Sequence, residues 1–167
     1  VCSAAAASRG FEAAPVDWKG NRHKTAPGVV VMILDLTTKA GEDALFQVLE
    51  NAKEQGRLAH SYSGTPGGTF TRARDKSIPQ HLVKEGAPQP RTLRNAEFPY
   101  GFPTLEGLEA VKVQKGNKLT LLTAKVCLWC IKNNCTFTVE NPWRSWIWAL
   151  EEFKHLLQFP EVRKVNM

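Results

Sequence analysis

The chain has 167 residues, enough for one domain that buries about 70% of the surface an unfolded chain exposes. Hydrophobic residues make up 43% and charged residues 23%, which excludes a disordered or collagenous chain, and apolar runs such as 29–34 fall far short of the ~20 residues of a membrane helix. A formal net charge of +6 is compatible with a nucleic-acid partner, and no membrane partner is expected.

The opening VCSAAAASRG has no basic region ahead of a hydrophobic stretch, so it reads poorly as a signal peptide. It also has no initiator Met, which suggests that the chain begins inside a longer reading frame or was trimmed. The alanines favour a helix over 2–9, ended by Gly10. A short apolar strand over 11–18 closes on Asp17, and Lys19-Gly20-Asn21-Arg22 has turn chemistry. The run 29–36 is continuous and β-branched, the pattern of a strand buried on both faces of a parallel sheet, and it ends on Asp35. Over 41–56, Leu45, Val48, Leu49 and Ala52 recur at spacings of three and four between glycines, which predicts an amphipathic helix.

A strand near 58–63 leads into the glycine-rich loop Gly64-Thr65-Pro66-Gly67-Gly68. From 71 to about 107 prolines recur with little periodicity, which predicts a long basic loop or insertion. Over 71–95 six basic residues, Arg72, Arg74, Lys76, Lys84, Arg91 and Arg94, face only Asp75 and Glu85, so most of the net charge sits in one stretch. A helix is predicted over 108–132, with Leu108, Val111, Leu119, Leu122, Val126 and Trp129 on one face and a break at Gly116-Asn117. The β-rich run 136–139 ends in Glu140-Asn141-Pro142, and 143–157 reads as a helix with aromatic anchors. Strands alternating with helices predict a single α/β domain built on an open parallel sheet.

Ligands of open α/β sheets bind beyond the carboxyl ends of the strands. That rule singles out Asp17, Asp35, the Pro66-Gly67-Gly68 loop and Glu140-Asn141-Pro142. An ionised carboxylate after a strand suits a ribose, because it accepts two hydrogen bonds at once. Asp17 reads equally well as a turn or cap acid, and Asp35 before Thr37 as a cap residue. The basic residues Arg72, Arg74, Lys76, Arg91 and Arg94 are candidates for contacts to nucleic-acid phosphates, with a solvated charged loop as the plain alternative.

Taken in order, the segments RGFEAAPVDWKGN, VVMILDLT, GTPGGTFTRARDKSIP, GAPQPRTLR, KGNKL and FTVENPWRSWIW resemble DNA (cytosine-5) methyltransferase-like proteins of mobile elements in some eukaryotic microbes. The resemblance covers nearly the whole chain. It implies a three-layer Rossmann-like α/β core with a mostly parallel sheet, incomplete at both ends, with the first strand and its glycine-rich turn missing ahead of Cys2. It implies S-adenosylmethionine as cofactor, bound by Asp17, Trp18, Asp35 and Pro66, with Asp17 on the ribose and Asp35 near the adenine. It implies DNA as the partner.

In such enzymes the loop after the fourth strand carries Pro-Cys, whose thiolate attacks carbon 6 of the target base. Glu140, Asn141 and Pro142 match the triplet after the next strand, where the acid hydrogen-bonds the base and assists its protonation while the other two shape the turn. Gly67 occupies the nucleophile's position, so covalent methyl transfer is not expected of the chain in this form. Transfer to an exocyclic amine needs no cysteine, but the loop lacks the second proline and the aromatic typical of that chemistry. Three readings stay open: a methyltransferase domain completed by segments outside the chain, a non-catalytic nucleic-acid-binding pseudoenzyme, and a degenerate mobile-element remnant.

Cys127, Cys130 and Cys135 offer half the spacing of a zinc site, but no second pair or nearby histidine pair completes it. No metal is expected, and the cysteines read as small buried hydrophobes in a reducing compartment inside the cell, nuclear or cytoplasmic. Trp143, Trp146 and Trp148 read as core residues sooner than as stacking surfaces.

Overall fold

The computed structural model describes residues 8–10, 12–17, 30–57, 60–65 and 67–166. It is a mixed α/β structure of two compact units, Val1–Arg57 and Leu58–Met167. Among the described residues each unit contains one parallel pair of strands.

In the first unit β1 (Val16–Asp17) pairs with β2 (Met32–Ile33), with Val16 opposite Met32 and Asp17 opposite Ile33. The strand predicted over 29–36 is far shorter than its sequence pattern. Val30 is 85% exposed and Ile33 56% exposed, so the run is not covered on both faces as a long central strand would be. By Asp35 the chain is already turning: the Asp35 carbonyl accepts from the Thr38 N–H at 3.1 Å. Asp35 Oδ1 accepts from the Thr37 N–H at 3.0 Å and the Thr37 hydroxyl at 2.6 Å.

That turn launches α1 (Lys39–Glu54), whose N-cap Thr38 accepts the Gly41 N–H on its side-chain oxygen at 3.1 Å. Gly41 therefore lies inside the first turn instead of ahead of the helix. A Cβ on it would fall 2.0 Å from the Asp35 carbonyl oxygen, so this close approach of turn and helix requires glycine. Leu49 is buried and Leu45, Val48 and Ala52 are half-buried, the face predicted from their spacing. The helix predicted over 2–9 lies outside the described residues, apart from Ser8 and Arg9, which are in a turn.

In the second unit β3 (His60–Gly64) runs parallel to β4 (Thr136–Glu140), in register from His60–Thr136 to Gly64–Glu140. Phe137 and Val139 lean on a core of Phe70, Ala124, Cys127, Ile147, Leu150, Phe153 and Leu156. The crossover between the strands carries a short 3-10 turn (Arg72–Asp75), a one-turn helix α2 (Gln80–Lys84) and the long helix α3 (Gly107–Lys132). The stretch from 71 to 107 is fixed by side chains that satisfy its irregular backbone. Gln89 accepts from the Ile78 N–H at 3.1 Å and donates to the Lys76 carbonyl at 3.0 Å, and Thr92 donates to the Arg74 carbonyl at 3.3 Å.

Helix α3 spans 26 residues without interruption, about 39 Å at 1.5 Å per residue, and the break predicted at Gly116-Asn117 does not occur. Gly116 is there for closeness: a Cβ would stand 2.8 Å from Thr69 Oγ1 and 3.5 Å from the Phe70 ring. Asn117 uses its side-chain amide twice, accepting from Arg94 Nη1 at 2.7 Å and donating to the Tyr100 carbonyl at 2.8 Å.

The segment 143–157 is not the one helix that was predicted. A 3-10 turn (Trp146–Ala149) and a short α4 (Glu151–Leu156) are separated by Leu150, which is extended at φ −70°, ψ 141°. The kink follows from competing demands. The Trp146 N–H is taken by the Phe70 carbonyl at 2.9 Å, the Ile147 N–H by Ser145 Oγ at 3.3 Å, and Ile147 and Leu150 are both fully buried. Trp146 and Trp148 pack on the core as expected, whereas Trp143 is 47% exposed.

Candidate functional site

The register of β3 and β4 sets Gly64 beside Glu140, so the loops that leave the two strands start side by side at their carboxyl ends. Asn141 Nδ2 donates to the Thr65 carbonyl at 3.0 Å, tying the loop of the Glu-Asn-Pro triplet to the glycine-rich loop. Tyr62 donates its hydroxyl proton to Glu140 Oε2. Thr65 Oγ1 and Asn141 Oδ1 are buried with no hydrogen-bond partner. An unmet buried oxygen costs about 1–3 kcal/mol, so two of them at facing loops mark a place suited to a polar ligand group or a water. Pro142 turns the chain, its carbonyl accepting from the Ser145 N–H and from Trp148 Nε1, each at 2.9 Å.

Next to this edge lies a cleft of about 400 Å³ lined by Thr71, Arg72, Ala73, Asp75, Lys76, Pro142 and Arg144. Thr71 caps the 3-10 turn by accepting from the Ala73 N–H at 3.2 Å, and Arg72 and Lys76, at the two ends of that turn, line the cleft. Arg144, three residues after Asn141, lines the cleft as well. Three cations thus meet one carboxylate, and Asp75 already contacts Arg72 at 3.3 Å. An exposed pair of that kind contributes little, so Arg72 can exchange it for an anionic ligand at small cost. The Arg72 guanidinium also lies 4.9 Å from the centre of the Trp146 ring.

The remaining basic residues singled out in the sequence are used differently. Arg74 donates to the carbonyls of Gly68 at 3.0 Å and Arg91 at 3.2 Å, holding the loop together. Arg91 pairs with Glu109 at 3.2 Å on the surface. Arg94 is a correction to the sequence reading: it is fully buried, with a guanidinium that makes five hydrogen bonds, to Thr69 O and Oγ1, Pro99 O, Asn117 Oδ1 and Val113 O. Those use all five of its N–H donors, leaving none for a phosphate. Burial lowers its pKa to about 10, still high enough to keep it charged at neutral pH.

Arg144 stands outside the contiguous basic stretch, because the cleft joins the start of the crossover to the loop after β4. Its place two residues after the Glu-Asn-Pro triplet was the available signal.

Of the residues implied for S-adenosylmethionine, Trp18 and Pro66 lie outside the described residues. Asp17 ends β1 half-buried, and its carbonyl accepts from the Leu34 N–H at 2.9 Å. Its place at a strand's carboxyl end fits a ribose diol. Asp35 fits the group less well, because its carboxylate is drawn into the turn that starts α1.

Among the described residues no group of three or more His, Cys, Asp or Glu could hold a metal ion, and no helix is long and apolar enough to cross a membrane. Cys127 and Cys130 are buried in the core, which pushes their thiols up to about 12 and about 11, so they are neutral packing groups. No protein-family model, curated protein or solved structure compared with this chain matches it.

Proposed function

We propose that this chain is a DNA-methyltransferase-like domain that binds nucleic acid without methylating it. One juxtaposition carries the reading: the glycine-rich loop and the Glu140-Asn141-Pro142 loop are hydrogen-bonded at the ends of two parallel strands, and Pro142 lines a cleft together with Arg72, Lys76 and Arg144. Lys and Arg on one concave surface neutralise phosphates and release their counterions, which gives affinity independent of sequence. In the same reading the parallel pairs are parts of a three-layer Rossmann-like core, and Asp17 holds the ribose of S-adenosylmethionine where the remainder of that pocket is supplied.

No methyl-transfer step is assigned to this chain. The covalent route needs a thiolate at position 67, and Gly67 offers none. One neighbouring group supports binding: Glu140, exposed at the end of its strand, can accept a further hydrogen bond. Fluorescence-anisotropy titration of labelled DNA at low ionic strength tests the reading. Saturable binding that weakens as salt rises is expected, together with no methyl incorporation from S-adenosylmethionine. A folded sample that binds neither duplex nor single strands would overturn it.

A further inference from the structure

The sequence places Trp143 between Pro142 and Arg144, both of which line the cationic cleft. Among the described tryptophans Trp143 is the most open, at 47% exposure, whereas Trp146 and Trp148 pack on the core. A half-open indole whose two chain neighbours line a cationic cleft calls for a reason, since burying it would stabilise the fold.

The indole is also held in place. Lys164 Nζ donates to the Trp143 carbonyl at 2.9 Å and stands 4.2 Å from the centre of the Trp143 ring and 4.8 Å from that of Trp148. Partial burial lowers the Lys164 pKa. The ammonium therefore restrains the ring. Consecutive Cα atoms are about 3.8 Å apart, so the backbone of Trp143 lies within a nucleotide's length of the cleft residues on either side of it.

We propose that Trp143, backed by Lys164, is a base-stacking platform that makes the cleft a site for single-stranded nucleic acid. Phosphates lie against Arg72, Lys76 and Arg144, and a neighbouring base lies on the indole. The charge of the cleft selects a polyanion. The open aromatic selects an unpaired strand, because a duplex keeps the faces of its bases stacked on one another while a single strand can present one. The inference rests on the nucleic-acid reading above and narrows it to one form of ligand.

The test titrates a labelled oligothymidylate and a labelled duplex of equal length with the whole chain, its Trp143→Ala variant and its Trp143→Phe variant. Near-ultraviolet circular dichroism establishes that each variant is folded. The oligothymidylate is expected to bind more tightly than the duplex. Trp143→Ala should weaken it about 5- to 150-fold, as the loss of one stacked base does, and Trp143→Phe should retain most of the affinity. Duplex binding should be unchanged in both variants. Equal loss for duplex and single strand, or an oligothymidylate affinity untouched by Trp143→Ala, would overturn the stacking platform while leaving the nucleic-acid reading in place. If neither ligand binds the wild-type chain, that reading falls, and the platform with it.

Discussion

The guanidinium carbon of Arg94 lies 3.6 Å from the centre of the Phe70 ring, and both side chains are fully buried. The cation stacks on the aromatic while its five N–H groups bind oxygens from the loop after β3, the Pro99 turn and α3. Among the described residues no carboxylate contacts it, so neutral oxygens and a ring face compensate the charge. Arg94 thus anchors the irregular crossover segment to the core.

Arg94→Met preserves much of the apolar bulk but strips the donors from several buried oxygens. Each unmet oxygen costs about 1–3 kcal/mol, so a loss of about 3 kcal/mol or more is expected in urea unfolding. Arg94→Lys should recover only part of it, since an ammonium cannot reproduce the planar fork. A variant as stable as the wild type would show that the anchor contributes nothing.

Gly116→Ala separates two effects of opposite sign. Alanine improves helix propensity by about 1 kcal/mol, whereas its Cβ would stand 2.8 Å from Thr69 Oγ1 in a packed site, where overpacking costs about 1–3 kcal/mol. A net loss of about 1 kcal/mol is expected. Gly41→Ala should cost more, about 3 kcal/mol, because the group it meets at 2.0 Å is the Asp35 backbone carbonyl, which cannot rotate aside. Thermal unfolding of both variants checks the order.

Position 67 behaves in the opposite way. A Cβ on Gly67 meets nothing within 4 Å, so Gly67→Cys should leave stability within about 0.5 kcal/mol of the wild type. The new thiol should react with iodoacetamide in the folded protein. A strongly destabilised Gly67→Cys would mean that packing, and not loss of a function, dictates the glycine.

Burial raises the thiols of Cys127 to about 12 and Cys130 to about 11 from an ordinary value of 9. Above pH 9 the unfolded chain releases these protons while the folded chain retains them, so the unfolded state binds fewer protons and stability falls as pH rises. The contribution is complete below pH 9 and is lost between 9 and about 12. A Cys127→Ala, Cys130→Ala double variant should show a shallower alkaline loss of stability than the wild type in urea midpoints measured across that range. Parallel pH profiles would show that the two thiols titrate alike in both states.

Sequence pattern located the regular elements where one physical signal acted alone. The spacing of Leu45, Val48, Leu49 and Ala52 marked the buried face of α1, and the residues closing β3 and β4 marked the edge where the two loops meet. Pattern failed where a tertiary contact competed with it. Gly116-Asn117 looked like a helix break because propensity carries no knowledge of Thr69 and Arg94 packed against it. The aromatic run 143–157 looked like one helix because nothing local shows the Phe70 carbonyl claiming the Trp146 N–H. Arg94 looked like its basic neighbours, and only its five internal acceptors distinguish it from Arg72.

The most direct test of the central claim compares the wild-type chain with an Arg72→Ala, Lys76→Ala, Arg144→Ala variant, titrating single-stranded DNA over a range of salt concentrations. Each phosphate contact contributes about 0.7 to the slope of log affinity against log salt for a single strand, so the triple variant should bind more weakly with a slope reduced by about 2. A variant that is folded and matches the wild type in both affinity and slope would contradict the claim that this cleft holds nucleic acid.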